Sequence, residues 1–196
     1  MEAVATHPAV QEKSGLPGDF AIWIFIYAEL LVFGVFFLAY AFTRARHIEL
    51  FNTFQQTLNR ESGAINTLVL ITSSYFVVMA VNAIRRNAAK RCSQWLVLAI
   101  LGGGVFVFIK LAEFSAKHAE GVTLSTNTFY MFYLSLTFFH FMHVLMGMVI
   151  LSVVAVKACR GDYNAEEHTG VETGASYWHM VDLVWIVLFP LVYVLH

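Results

Sequence analysis

Charge is scarce in this chain: 13% of its 196 residues are charged, where a soluble domain carries about a quarter. The formal net charge is −1, so no basic excess exists to draw a nucleic acid or another polyanion. Cysteine is limited to Cys92 and Cys159, which excludes a disulfide framework. Of three prolines, Pro190 alone falls within a long apolar run, close to its end. That argues against the broken helix pairs of a transporter, and no inverted repeat supports one either. There is no low-complexity tract. The first 19 residues, through Asp19, are polar with one lysine and make a poor signal-peptide n-region. "AYA" at 39–41 has the form of a cleavage site, but the apolar run before it is too long for an h-region.

What the chain does contain is apolar. Hydrophobic residues make up 59%, and mean hydropathy is +0.67. Five segments approach the ~20 residues a bilayer crossing takes, at 20–42, 65–84, 94–114, 129–156 and 177–195. Lipid offers backbone groups no partner, so each must be a helix. Five such runs in a soluble protein would leave too little polar surface for water. The expected organisation is a polar tail over residues 1–19 and one all-α, five-helix membrane domain over 20–196. With the N-terminus inside, the inner side holds Lys13, Arg85, Arg86, Lys90, Arg91, Lys157 and Arg160, and the outer side Arg44, Arg46, Arg60 and Lys117. This bias, and the short run "RRNAAKR" at 85–91, predicts N-inside and C-outside. Both cysteines then face a reducing cytoplasm. In "IELFNTFQQTL", Ile48, Phe51, Phe54 and Leu58 recur at helical spacing, which predicts an interfacial extension of the first helix on the outer surface. The acidic segment 158–176 reads as an irregular loop.

A charged side chain at mid-bilayer costs about 2.5–3.5 kcal/mol, so each needs a reason. Glu29 sits alone in "WIFIYAELLVFGVFF". Lys110 and Glu113 lie three apart near the outer end of the third segment, able to neutralise each other or to snorkel. His140 and His143 lie three apart in the middle of the fourth, at the depth of Glu29, which permits a Glu29–imidazole bond across helices. His179 and Asp182 share a face near the inner end of the fifth and can satisfy each other. Asn66, Thr67, Thr72, Ser73 and Ser74 form a softer polar set on the second. Helix glue is the plain role for such groups. Three sharper ones stay open: a haem held by His140 or His143 with His179, a metal held by Glu29, His140 and His143, and a short proton relay. Gly34, Gly102, Gly103, Gly104 and Gly147 are expected to let helices approach closely.

"YWHMVDLVWIVLF" resembles the last helix of subunit III of the haem-copper oxidases, with its Y-W-H-x-V-D-x-V-W-x-x-L-F pattern. "HFMHVLMG" is similar to that family's H-G-x-H-V-x-x-G helix, "NTLVLITSS" to its N-T-x-x-L-x-x-S-S helix, and "WIFIYAELLVFGVFF" to its glutamate-bearing helix. The four occur in the family's order and span about 20–195. The resemblance is to a five-helix form that lacks the first two helices of larger members, as in quinol oxidases and NorE-type proteins associated with nitric oxide reductase. Two departures stand out. Phe141 replaces the usual Gly between the histidines, and Lys110 stands where oxidase members usually carry Gln. The second, with the short chain, leans toward the NorE-type branch. The resemblance implies a multi-pass protein of the bacterial inner membrane, an accessory subunit with no catalysis of its own. No haem, copper or other metal is expected in this chain. The redox centres, haem with copper or iron, would belong to the partner, a catalytic subunit of a haem-copper oxidase or nitric oxide reductase. The accessory subunit would support that partner's assembly, stability or proton supply. Bound phospholipid is a family feature that the missing helices put in question.

Overall fold

The computed structural model describes residues 18–195; the tail expected at 1–19 falls almost wholly outside them. The described residues form α1 (Phe20–Arg46), α2 (Ile48–Gln55), α3 (Arg60–Arg85), α4 (Ala89–Ala119), α5 (Thr128–Arg160) and α6 (Thr169–Phe189). A π-helical turn, Pro190–Val194, closes the chain. Five of these helices are long and apolar enough to cross a membrane. The all-α expectation therefore holds.

Polar side chains fix where the helices start. Asp19 accepts a bond from the Ala21 amide, Asn59 from Ser62 and Asn127 from Tyr130, each relieving an amide that has no partner inside its helix. α5 stops at Gly161, whose φ of 84° glycine adopts without strain. Arg85, Lys117, Lys157 and Arg160 lie in last turns, where a cation meets the negative end of the helix dipole.

The helices overrun the apolar segments. α3 starts at Arg60 rather than 65, α4 runs on to Ala119, and α6 begins at Thr169, inside what the sequence suggests is loop. The irregular connection shrinks to about 161–168. Bilayer thickness limits the apolar length, while the backbone ladder continues into the headgroup region. α2 is also a correction, because it is a separate helix rather than an extension of α1. The break comes at His47, and Phe51 is fully buried against Tyr40 and Phe129.

α3, α4 and α5 pack in chain order, and α6 lies against α3, α5 and α1. α6 buries two tryptophans, Trp178 and Trp185. α1 is the least covered and turns Leu31, Val35 and Leu38 outward. Of the glycines expected to allow close approach, Gly103 and Gly147 do so most tightly. A Cβ at Gly147 would meet the Trp178 ring at 2.8 Å, and one at Gly103 would meet the same ring at 2.8 Å. Gly34 does not share this role, since a Cβ there would meet nothing within 4 Å. Phe141, between the two histidines of α5, is buried beside Phe114 and Phe138.

Candidate functional site

The intramembrane polar groups form three sets. The first is Lys110 on α4. Its ammonium is fully buried and bonds Glu113 Oε2 at 2.9 Å and the Tyr193 hydroxyl at 2.6 Å. Tyr193 donates in turn to Glu113 Oε1 at 2.7 Å, and Tyr133 donates to the same oxygen at 2.6 Å. The rings of Phe114, Tyr133, Trp185 and Tyr193 surround the ammonium, with centroids 5.2–5.4 Å away. Such placement over aromatic faces is attractive, more so when desolvated. The i, i+3 pairing expected of Lys110 and Glu113 is present, but snorkelling is not. Lys110 points into the bundle, and the network ties α4, α5 and the π turn together. Pro190 opens that turn, and the extra residue per turn ends with Tyr193 at the ammonium.

The second set joins α1 to α5. His143 Nε2 bonds Glu29 Oε2 at 3.0 Å, and its Nδ1 lies 2.8 Å from the Phe139 carbonyl. A neutral ring has one N–H to donate. Donation from Nδ1 to the carbonyl leaves Nε2 to accept from a protonated Glu29. A charged ring donates from both nitrogens to a carboxylate and a carbonyl. The Glu29 side chain stays 19% exposed on the margin of the bundle. His140 does not share in this bond. Its ring stacks on Trp185 at 5.1 Å and meets Phe106 edge-on at 5.6 Å, and neither nitrogen has a partner.

The third set lies between α3 and α6. His179 Nδ1 pairs with the Ser74 hydroxyl at 3.1 Å. This corrects the expected self-contained His179–Asp182 pair: the imidazole reaches across to the neighbouring helix, and Asp182 Oδ1 is buried without a partner. The remaining hydroxyls of α3 are used locally or as helix ties. Ser73 donates to the Ala99 carbonyl at 2.8 Å, and Thr67 accepts from Trp185 Nε1 at 3.0 Å. Asn66 is buried with its amide unpartnered, as is Gln55 on α2.

This geometry does not assemble the metal set left open by the sequence. Both nitrogens of His143 are engaged, and His179 pairs through Nδ1 with Ser74. Among the described residues no group of three His, Cys, Asp or Glu could hold a metal ion, so Glu29, His140 and His143 are not one cluster. Tyr133 and Tyr193 are the residues that sequence reasoning misses. At the membrane edge tyrosine is common, and nothing in the pattern distinguishes an inward-bonded one.

The family model described as cytochrome c oxidase subunit III matches residues 4–196. Cytochrome c oxidase subunit 3 of Thermostichus vulcanus is 34% identical over 173 residues, covering 88% of this chain and 84% of the relative. The Synechocystis sp. protein of the same name is also 34% identical, over 90% of this chain and 75% of its own length. Quinol oxidase subunit 3 of Bacillus subtilis is 27% identical over 94% of this chain and 90% of the relative.

Proposed function

The chain belongs to the cytochrome c oxidase subunit III family, and from that membership we propose that it is a non-catalytic accessory subunit of a respiratory haem-copper complex. It binds the catalytic subunit in the bacterial inner membrane and supports its assembly, stability or proton supply. The observation that carries this is the match along nearly the whole chain, residues 4–196, to a family whose named relatives are oxidase subunits 3. The two strongest polar sets fit the role, since Lys110–Glu113 and Glu29–His143 each close within the chain and tie its helices together. The redox centres belong to the partner. The N-terminus faces the cytoplasm, which puts Arg85, Lys90, Arg91, Lys157 and Arg160 on the inner side. Residues 20–196 act as one membrane unit behind a polar tail.

A second reading sets the chain beside a nitric oxide reductase, in the NorE-type branch. Lys110 favours it, because a fully buried ammonium with a dedicated carboxylate and two tyrosines stands where oxidase members of the family usually carry Gln.

The test is affinity isolation of the tagged full-length chain from native membranes in mild detergent, with mass spectrometry and an optical spectrum of the eluate. Co-isolation of a large haem-bearing subunit is the expected result, and its identity separates oxidase from nitric oxide reductase. Isolation of the chain alone and colourless would overturn the subunit reading. Isolation alone with a haem spectrum would make it a cytochrome b.

A further inference from the structure

α1 is the first helix of the chain, yet its partners along the crossing come from α5 and α6, the last two. The Phe25 ring lies 6.1 Å from Tyr177 of α6, Phe33 5.0 Å from Phe139 of α5 and Tyr40 5.9 Å from Phe132 of α5, and Glu29 bonds His143. Its buried residues are Ile26, Phe33 and Tyr40, one every seven positions, which makes a single narrow stripe. The N-terminal end of α1 is held in another way, by backbone amides. The Gly18 amide donates to Glu172 Oε2 at 3.2 Å, and the Asp19 amide to Thr173 Oγ1 at 3.1 Å. Arg85 of α3 donates to Glu172 Oε1 at 2.7 Å, and His168 Nε2 lies 3.2 Å from the same oxygen. One carboxylate therefore joins the start of α1, the end of α3 and the first turn of α6. Gly18 has a φ of 84°, and a Cβ there would come within 3.0–3.1 Å of Thr173, so glycine is what lets the chain pass this close.

We propose that α1 is a strap that closes on the bundle last, and that Glu172 and Thr173 are the clasp that fixes its register and so positions Glu29 for His143. This goes beyond the accessory-subunit reading and does not depend on which catalytic subunit the chain binds. A chain made from its N-terminus leaves α1 without these partners until α5 and α6 follow. The clasp itself joins positions 154 residues apart. Local opening follows the buried contact a segment makes, so a helix held by one narrow stripe opens before the helices it lies on. An apolar stripe against rings tolerates sliding, whereas two amide bonds at one end do not. Glu29 stands ten residues beyond Asp19, about 15 Å along the axis, and a slip of one turn would carry it about 5.4 Å, out of reach of the imidazole.

Hydrogen–deuterium exchange with mass spectrometry on the full-length chain in detergent tests this, for wild type, Glu172→Gln and Thr173→Val. Glu166→Gln, at an exposed carboxylate outside the clasp, is the comparison. In wild type, α1 peptides are expected to exchange faster than those of α4 and α5. Each clasp variant should raise α1 exchange about fivefold or more, the effect of one lost net hydrogen bond, and leave α4 and α5 unchanged. Glu166→Gln should change nothing. Where Glu172→Gln does not insert, Thr173→Val, which removes only the Asp19 contact, gives the same readout. The register is read by nitrogen-15 resonance of the histidine-labelled chain, in which the His143 signal is the one that Glu29→Gln moves. The clasp variants should move that signal too. A rise in exchange shared by all helices overturns the strap, because Glu172 would then be a general tie. No rise in α1 overturns the clasp. A rise in α1 with the His143 signal unmoved overturns the positioning of Glu29.

Discussion

Replacing Lys110 with Met removes the centre of a closed buried network. The side chain is fully buried, so no water takes over its bonds to Glu113 and Tyr193. Glu113 keeps the hydroxyls of Tyr133 and Tyr193 but loses its counter-charge. Breaking a buried ion pair from one side costs about 3–5 kcal/mol, mostly the penalty of the charge left behind. Glu113→Gln strands the ammonium in the same way, with Tyr193 and four ring faces as its only company. Removing both charges leaves two polar but neutral positions, so the double variant costs less than the sum of the singles. Coupling between contacting residues in one network runs to about 0.5–3 kcal/mol, and this pair belongs at the upper end.

The assay is thermal unfolding of the purified chain in detergent for wild type, Lys110→Met, Glu113→Gln and the double variant. Each single substitution is expected to lower Tm clearly, and the double to recover much of the loss. Strict additivity would refute the reasoning, because it would mean that the two charges act independently despite lying 2.9 Å apart. A Lys110→Met variant as stable as wild type would show that burying the pair is already as costly as doing without it.

Two further outcomes follow from the same packing. Gly147→Ala drives a Cβ to 2.8 Å from the Trp178 ring and should cost about 1–3 kcal/mol, while Gly34→Ala, which meets nothing, should leave Tm unchanged; parallel melting curves compare them. Glu29→Ala strips His143 Nε2 of its partner and should lower the yield of assembled complex while membrane insertion stays intact. Blue-native electrophoresis of solubilised membranes reads both, and an unchanged yield counts against the pairing.

The five crossings are legible in the sequence because lipid demands long apolar runs; α1, α3, α4 and α5 each contain the run predicted for them, and the fifth run, 177–195, extends past α6 through the π turn. The helix ends are not, because composition marks the hydrocarbon boundary and the backbone ladder does not stop there. α6 shows the difference, with Thr169 to Ser176 helical ahead of the apolar part. Depth alone predicts the Glu29–imidazole bond, and the structure selects His143 over His140 because the His140 ring is enclosed by Trp185 and Phe106. Spacing alone fails for His179 and Asp182. An i, i+3 relation permits a bond, but the Ser74 hydroxyl on α3 is the partner that the ring takes. Tyr133 and Tyr193 escape notice for a related reason, since only packing of α5 and the π turn brings them to Glu113.

What separates the polar sets is whether they close. Lys110, Glu113, Tyr133 and Tyr193 exchange every bond among themselves behind four rings, and the whole set can sit in lipid as a neutral, stiff core. Glu29 and His143 close as well, at the margin of the bundle. His179 and Asp182 lean on α3 instead: Ser74 pairs with the ring and bonds the carboxylate, and one Asp182 oxygen is enclosed without a partner. The closed sets tie the helices of the bundle to one another from within.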